Sequence, residues 1–185
     1  LPEIEVKVLD EQGRQLPPAR KGVLYVRGPN VMMGYYKKPD LTAAAIDKEG
    51  WLNTGDLAML TYDGQIKIMG RAKETVVLLG GENVEPSPIE DVISESDYVE
   101  QAMVVGQDQR FLAALVVPNM DNLTKFAKEN GIPFAEPRDL LENESIYRFI
   151  MDEINFRVSP KRGFKLFERI NKVKLLPRPF ERGKE

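Results

Sequence analysis

The chain has 185 residues, of which 42% are hydrophobic and 30% are charged, and its formal net charge at pH 7 is -3. This balance predicts a folded protein of one large or two small domains, and the lack of a basic excess argues against a nucleic-acid-binding protein. Cysteine and histidine are both absent, which excludes disulfides, zinc–sulfur sites and serine–histidine catalysis. Any chemistry must therefore use Lys, Arg, Asp, Glu, backbone amides or a metal held by oxygen ligands.

Short strands dominate the first seventy residues. Apolar runs, the first of them alternating with charged residues, predict strands at 4–8, 23–26, 57–60 and 65–69. Asp63-Gly64 lies between the last two runs and indicates a hairpin turn. Pro39 sets the start of a short helix that runs to Ile46. This part of the chain is therefore predicted to be mostly β-structure.

The first candidate site is the Thr54-Gly55-Asp56 turn. Glycine relaxes the backbone there, so the carboxylate of Asp56 can project from the end of a strand. A lone Asp beside Gly is usually only a turn residue, and the motif alone does not define a site.

A charged run at 70–74, GRAKE, interrupts the strand pattern. It is either a solvated linker or a hinge, in which a few residues absorb a large backbone change. Hairpins alone precede it, whereas strands interleaved with helices follow it. This shift predicts a domain boundary near residue 70.

Strands and helices alternate in the rest of the chain. The tight loop Gly80-Gly81-Glu82-Asn83 matches neither GxGxxG nor GxxxxGK[ST], so it is not predicted to bind phosphate. Phe164, Phe167 and Ile170 are predicted to be core residues rather than a cofactor pocket. Strands are predicted at 75–79, 99–105, 111–117 and 173–176, and helices from 86, at 122–130 and at 145–158.

The predicted fold class is α+β. Residues 1–70 are expected to form a small β-barrel-like subdomain, and residues 71–185 a small α/β lid domain with a short sheet, flanking helices and a hinge near 71–74. Interfaces between such bodies are small, which leaves their orientation free. Apolar surface on the first body is expected to be exposed, and a homodimer through that surface is a further expectation.

The order of four segments carries a resemblance to a known family. Together they resemble the carboxyl-terminal third of the adenylate-forming enzymes, which include acyl-CoA synthetases, luciferases and peptide-synthetase adenylation domains. The forms GRAKETVVLLGGENVEP and PFERGKE are most similar to bacterial long-chain fatty acid–CoA ligases. The four segments, which span essentially the whole chain, are KGVLYVRGPNVMMGYYKKPDLTAAAI, WLNTGDL, GRAKETVVLLGGENVEPSPIE and LPRPFERGKE.

The resemblance implies a reaction in two halves. A carboxylate first attacks ATP, with Mg²⁺, to give acyl-AMP and pyrophosphate, and the thiol of coenzyme A then displaces AMP to give the thioester. Between the halves the small carboxyl-terminal domain rotates, so that one site presents two catalytic faces in turn.

The resemblance also assigns roles to individual residues. Asp56 matches the aspartate that holds the ribose hydroxyls of the nucleotide, and Arg71 matches the arginine that contacts the same ribose. Lys184 matches the catalytic lysine that bridges the acyl carboxylate and the α-phosphate during adenylation. A carboxylate can accept two hydrogen bonds from a vicinal diol, and a mobile ammonium can stabilise developing negative charge.

The resemblance also assigns residues to the domain movement and to the second half-reaction. Lys73 matches the hinge position, where many members carry Asp. Gly80, Gly81 and Glu82 match the loop that lines the coenzyme A tunnel, although this loop has about one extra residue, which leaves the register of the two glycines open. No metal ligand is predicted in the chain.

The phosphate-binding loop and acyl tunnel of the family lie upstream, so the chain is expected to be a fragment that is inactive alone and binds no cofactor tightly. Its expected partners are the amino-terminal half of the same protein and the substrates fatty acid, ATP and coenzyme A. The expected location is cytoplasmic, with membrane association of the full-length enzyme as an alternative. Two other functions stay open: an acyl–acyl-carrier-protein synthetase or other adenylate-forming enzyme, and a non-enzymatic interaction module.

Overall fold

The fold is described from a computed structural model of residues 3–180. The chain divides into two compact units, Leu1–Glu74 and Thr75–Glu185. The boundary falls at the end of the charged run at 70–74. The role of this run as a hinge stays a prediction, and each unit is described by itself.

The first unit is an open sheet of four antiparallel strands with one short helix, α1, at Pro39–Ala45. The strands pair in chain order, so β1 and β4 are the two edges among the described residues. The α+β class is confirmed, but the sheet does not close into the expected barrel, because β1 and β4 do not pair with each other. The strands are β1 Glu5–Leu9, β2 Gly22–Arg27, β3 Leu52–Leu60 and β4 Ile66–Arg71.

One face of this sheet is apolar. Val8, Leu24 and Ala58 are buried at its centre, on three successive strands. Ala58 lies directly opposite Ile68, which extends the same face onto β4, where Ile66 and Ile68 are exposed. The period-2 alternation of the sequence thus places the apolar side chains on one face, as predicted.

Trp51 is in contact with two cations. The Nζ atom of Lys7 is 4.1 Å from the centre of the indole ring, and the guanidinium carbon of Arg27 is 4.6 Å from it. Arg27 also donates hydrogen bonds of 2.9 and 2.7 Å to the carboxylate of Glu5, which lowers the pKa of Glu5. These cation–π contacts connect β1, β2 and the residue that precedes β3.

The second unit contains a two-stranded hairpin, a three-stranded sheet and three α-helices. β7 and β8 are antiparallel, whereas β8 and β9 are parallel. Turns of 3₁₀-helix lie at Pro137–Glu142, Pro160–Arg162 and Leu166–Glu168. The other elements are β5 Val76–Val77, β6 Asn83–Val84, α2 Pro86–Ser94, β7 Val99–Val105, β8 Leu112–Pro118, α3 Met120–Glu129, α4 Glu144–Arg157 and β9 Ile170–Leu175.

The beginnings of the helices follow from local sequence. Pro86 occupies the first position of α2. Asn119 and Asn143 cap α3 and α4, because their side-chain oxygens accept hydrogen bonds from Asn122 N and from Ser145 N, respectively.

The predicted strand at 75–79 is shorter in the structure, since only Val76–Val77 pairs with β6.

Helices α2 and α4 bury their apolar faces against the sheet of the second unit. Ile146, Ile150 and Ile154 follow one another at intervals of four along α4 and are fully buried. Phe164 and Phe167 pack against the same core, as predicted. Across the described part of the chain, no helix combines the length and the apolar character that crossing a membrane requires.

Candidate functional site

The Thr54-Gly55-Asp56 motif lies inside β3 and not, as expected, in a turn at the end of a strand. Val23 of β2 pairs with Leu57, while Tyr25 pairs with Asn53, so β3 carries extra residues that form a bulge. Gly55 has a φ of +73°, in the left-handed region that favours glycine. The bulge re-aims the Asp56 side chain without ending the strand.

Neighbouring side chains hold the bulge in place. The Asn53 side-chain oxygen accepts a hydrogen bond of 2.9 Å from Gly55 N, and its amide nitrogen donates one of 3.0 Å to the Tyr25 hydroxyl. The Thr54 hydroxyl donates to the Leu24 carbonyl at 3.0 Å and accepts from Asp56 N at 3.1 Å. The sequence did not predict these roles, although Asn and Thr beside a glycine are the residue types that form such local bonds.

Asp56 and Arg71 are direct cross-strand partners in the β3–β4 ladder. Arg71 Nη1 lies 2.9 Å from Asp56 Oδ1 and 3.1 Å from the Thr54 carbonyl oxygen. The strand predicted at 65–69 continues through Arg71 as β4, and its register with β3 sets the pair. The side chains are 31% and 55% exposed, respectively, so a ligand can reach both groups.

An open cavity of about 640 Å³ lies beside this pair, within the first unit. Its lining includes Thr54, Gly55, Arg71 and Lys73, together with Ala44 of α1. The volume falls within the range of roughly 300–1,000 Å³ that small-molecule sites occupy. Lys73, the predicted hinge residue, thus lines the same cavity as Arg71.

The glycine loop joins β5 to β6 in the second unit. Leu78 N donates to the Glu82 carbonyl and Gly81 N donates to the Leu78 carbonyl, both at 2.9 Å. Gly81 has a φ of +87°, which a residue with a Cβ adopts only with strain. A Cβ on Gly80 would lie too close to the Glu82 carboxylate, which would have to move away. The loop is as tight as its sequence predicts.

The turn between β7 and β8 forms hydrogen bonds with residues 77–79, which lead from β5 into the glycine loop. Gln107 Oε1 accepts a hydrogen bond of 3.0 Å from Val77 N, and Asp108 N donates one of 2.9 Å to the Val77 carbonyl. Leu79 N donates to the Gln109 carbonyl at 2.8 Å. The sequence gives no sign of this support, because it joins residues about thirty positions apart.

The predicted site residues therefore belong to separate parts of the structure. Asp56 and Arg71 are in contact, and Lys73 lies in the same unit. Gly80, Gly81 and Glu82 form a loop in the second unit, and Lys184 lies outside the described residues. Within residues 3–180, no three acidic side chains converge in a way that could hold a metal ion.

The Thr54 hydroxyl offers a first test of the bulge. Thr54→Val keeps the shape of the side chain but leaves the Leu24 carbonyl and the Asp56 amide without their partner, so we expect a loss of about 1–3 kcal/mol in the free energy of unfolding. Thr54→Ser keeps the hydroxyl and is the matched control, for which we expect a much smaller loss. Urea denaturation measures both, and equal losses would show that the hydroxyl does not hold the bulge.

Two family models match the chain. The model described as "AMP-binding enzyme" matches residues 1–36, and that described as "AMP-binding enzyme C-terminal domain" matches residues 73–137. The chain is 34% identical to the human long-chain-fatty-acid–CoA ligase 1 over 177 residues, which is 95% of this chain and 25% of that protein. The chain belongs to the adenylate-forming superfamily of AMP-binding enzymes.

A second relative and a solved structure agree with this assignment. A chloroplastic long-chain-fatty-acid–[acyl-carrier-protein] ligase of Arabidopsis thaliana is 42% identical over 138 residues, which is 69% of this chain and 19% of that protein. The adenylation domain of a carboxylic acid reductase from Segniliparus rugosus, in complex with AMP and a carboxylic acid, is 26% identical with a TM-score of 0.77, over 97% of this chain and 27% of that one. The chain spans a quarter or less of the relatives' lengths.

Proposed function

We propose that this chain is part of an ATP-dependent long-chain fatty acid–CoA ligase, which forms an acyl-AMP and then transfers the acyl group to coenzyme A. The observation that supports this most is the contact between Asp56 and Arg71, held by the bulge of β3 beside an open cavity. The relatives named as ligases of long-chain fatty acids support the substrate class.

In this proposal Asp56 and Arg71 bind the ribose of the nucleotide. The Asp56 carboxylate accepts hydrogen bonds from two neighbouring hydroxyls, while Arg71 holds the carboxylate in place and has further N–H groups for the ligand. The exposure of both side chains is consistent with this role. Lys184 is proposed to stabilise the charge that develops at the α-phosphate during adenylation.

The joint between the two units is proposed to be the hinge of the reaction cycle. Lys73 lies one residue before Glu74, the last residue of the first unit. In this proposal the rotation brings Lys184 to the substrates for adenylation and the Gly80–Glu82 loop to them for thioester formation. That loop is proposed to line the path of the coenzyme A thiol, where its tight backbone leaves room for a narrow substrate arm.

The resemblance also implies Mg²⁺ with ATP. Residues 3–180 hold no convergent group of three acidic side chains, so this part of the protein offers no magnesium site made of protein ligands alone. We therefore assign no step of the reaction in this part of the protein to the metal.

A carrier-protein ligase is the second candidate, because one relative at 42% identity is named for that activity. Both candidates share the adenylation half-reaction and differ in the thiol that accepts the acyl group. A non-enzymatic interaction module is less well supported. It predicts that Asp56 and Arg71 point apart, whereas they lie 2.9 Å from one another.

The exposed apolar residues of β4, Ile66 and Ile68, are proposed to pack against the amino-terminal half of the protein, or against a second copy when that half is missing. The protein is proposed to act in the cytoplasm.

Acceptor assays on the complete protein test the proposed function. With palmitate, ATP and coenzyme A we expect pyrophosphate release and palmitoyl-CoA at a typical rate of about 10 per second, with less product when acyl carrier protein replaces coenzyme A. The chain of 185 residues alone should give no turnover. A complete protein that releases no pyrophosphate with any fatty acid would overturn the proposal, and a preference for the carrier protein would favour the second candidate.

A further inference from the structure

The strongest concentration of charge in the chain lies near its carboxyl end, although the chain as a whole has 26 basic and 29 acidic residues. Between 161 and 178 seven side chains are basic and only Glu168 is acidic. No role in the proposed reaction uses this segment. The basic residues are Lys161, Arg162, Lys165, Arg169, Lys172, Lys174 and Arg178.

Two turns of 3₁₀-helix, at Pro160–Arg162 and Leu166–Glu168, present the first part of this segment. We call residues 159–169 the basic double turn. Phe164 and Phe167 point inward and pack against the core of the second unit. Leu166 between them is 81% exposed, and Phe156, at the end of α4, is 71% exposed. The two inner aromatic residues thus anchor a protrusion whose tip is apolar.

Hydrogen bonds fix the shape of the basic double turn. The Ser159 hydroxyl donates to the Phe156 carbonyl at 3.0 Å, which ties the turn to α4. Arg162 N and Phe164 N both donate to the Ser159 carbonyl, at 2.9 and 3.3 Å. These bonds hold the backbone of the turn in one shape before any partner arrives, which reduces the entropy lost on binding.

The acidic groups near the basic double turn are already engaged. Glu95 accepts a hydrogen bond of 2.8 Å from Arg162 Nη2, and the Glu168 carboxylate accepts one of 2.6 Å from Lys165 N. Arg162 is therefore partly neutralised. Among the residues that the structure describes, Lys161 and Arg169 form no ion pair and are exposed. The turn thus presents net positive charge around an apolar tip.

We propose that the basic double turn binds the surface of an anionic lipid bilayer, with Leu166 and Phe156 entering the headgroup boundary and the surrounding lysines and arginines contacting lipid phosphates. Exposed apolar side chains surrounded by cations suit this surface. The apolar side chains leave water when they enter the bilayer, while the long basic side chains reach the headgroups. Each Lys or Arg near such a surface strengthens binding by about fivefold. The proposal does not depend on the proposed function.

A bilayer explains the observations better than an acidic protein does. Charge alone fits either partner, but a headgroup layer accepts a protruding apolar side chain without a shaped pocket, whereas a protein partner needs a pocket that packs around it. An acidic protein, such as a carrier protein, remains an outcome that the test distinguishes.

The test uses sedimentation of the complete protein with vesicles of phosphatidylcholine that contain about one third phosphatidylglycerol. We expect binding that weakens as salt rises to about 0.5 M, and little binding to pure phosphatidylcholine. The double variant Lys161→Glu/Lys165→Glu should bind the anionic vesicles at least about 25-fold more weakly. Leu166→Ser should weaken binding by about tenfold, because a leucine side chain no longer leaves water.

Lys125→Glu/Lys128→Glu is the matched control, since it makes the same change of charge on exposed residues of α3. It should keep most of the vesicle binding and all variants should keep the wild-type circular dichroism. Equal losses in the two double variants would show that net charge alone is responsible and would overturn the proposal. So would unchanged vesicle binding with loss of turnover on a carrier protein, which would assign the surface to a protein partner.

Discussion

Replacing Asp56 with asparagine in the complete protein is expected to lower kcat/KM for ATP by about 10- to 100-fold. The substitution keeps the size of the side chain but removes a charged acceptor, and a hydrogen bond to a charged group contributes about 1.5–3 kcal/mol. The pair with Arg71 at 2.9 Å is lost as well. Adenylation kinetics, followed by pyrophosphate release, measure the effect.

The control for this variant comes from the same hairpin. Asp63 is an exposed carboxylate in the turn between β3 and β4, where it accepts hydrogen bonds from Thr61 and Gln65. Asp63→Asn removes a similar charge without touching the bulge or the cavity, so kcat/KM should stay near the wild-type value. If Asp63→Asn and Asp56→Asn reduce it equally, the effect is one of stability and not of nucleotide binding.

Replacing Ile150 with alanine is expected to lower the free energy of unfolding of the second unit by about 2–5 kcal/mol, because a fully buried side chain leaves a cavity between α4 and the sheet. Phe156→Ala is the control on the same helix. Phe156 is largely exposed, so in buffer its loss should change the stability by about 0.5 kcal/mol or less.

Urea denaturation of the chain, followed by circular dichroism, measures both variants. A destabilisation by Ile150→Ala no larger than that by Phe156→Ala would contradict the description of α4 as the helix that covers the core. The expected ratio is large because the cost depends on burial and not on the size of the side chain that is removed.

Local chemistry made much of the fold predictable from the sequence. Pro86 marks the start of α2, and the spacing of the isoleucines on α4 predicts its buried face. Features that depend on pairing between distant residues were not predictable. The bulge at Gly55 exists because β2 and β3 pair in one particular register, and the open edge of β4 depends on strand number rather than on strand pattern.

The same distinction applies to the candidate site. The motif containing Asp56 could be found from its sequence, and the resemblance to a family paired it with Arg71. The distance between them and the roles of Asn53 and Thr54 required the structure, because the hydrogen bonds that hold the bulge join it to β2. The Gln107 support of the glycine loop was missed for the same reason.

Discrimination between ATP and 2′,3′-dideoxy-ATP tests the central claim most directly, namely that Asp56 binds the ribose hydroxyls with the help of Arg71. The complete wild-type protein should prefer ATP by about 100-fold in kcat/KM, because the analogue leaves the carboxylate without its hydrogen-bond donors. In Asp56→Ala the preference should fall close to one. A wild-type protein that uses both nucleotides equally, or a variant that keeps the full preference, would contradict the account.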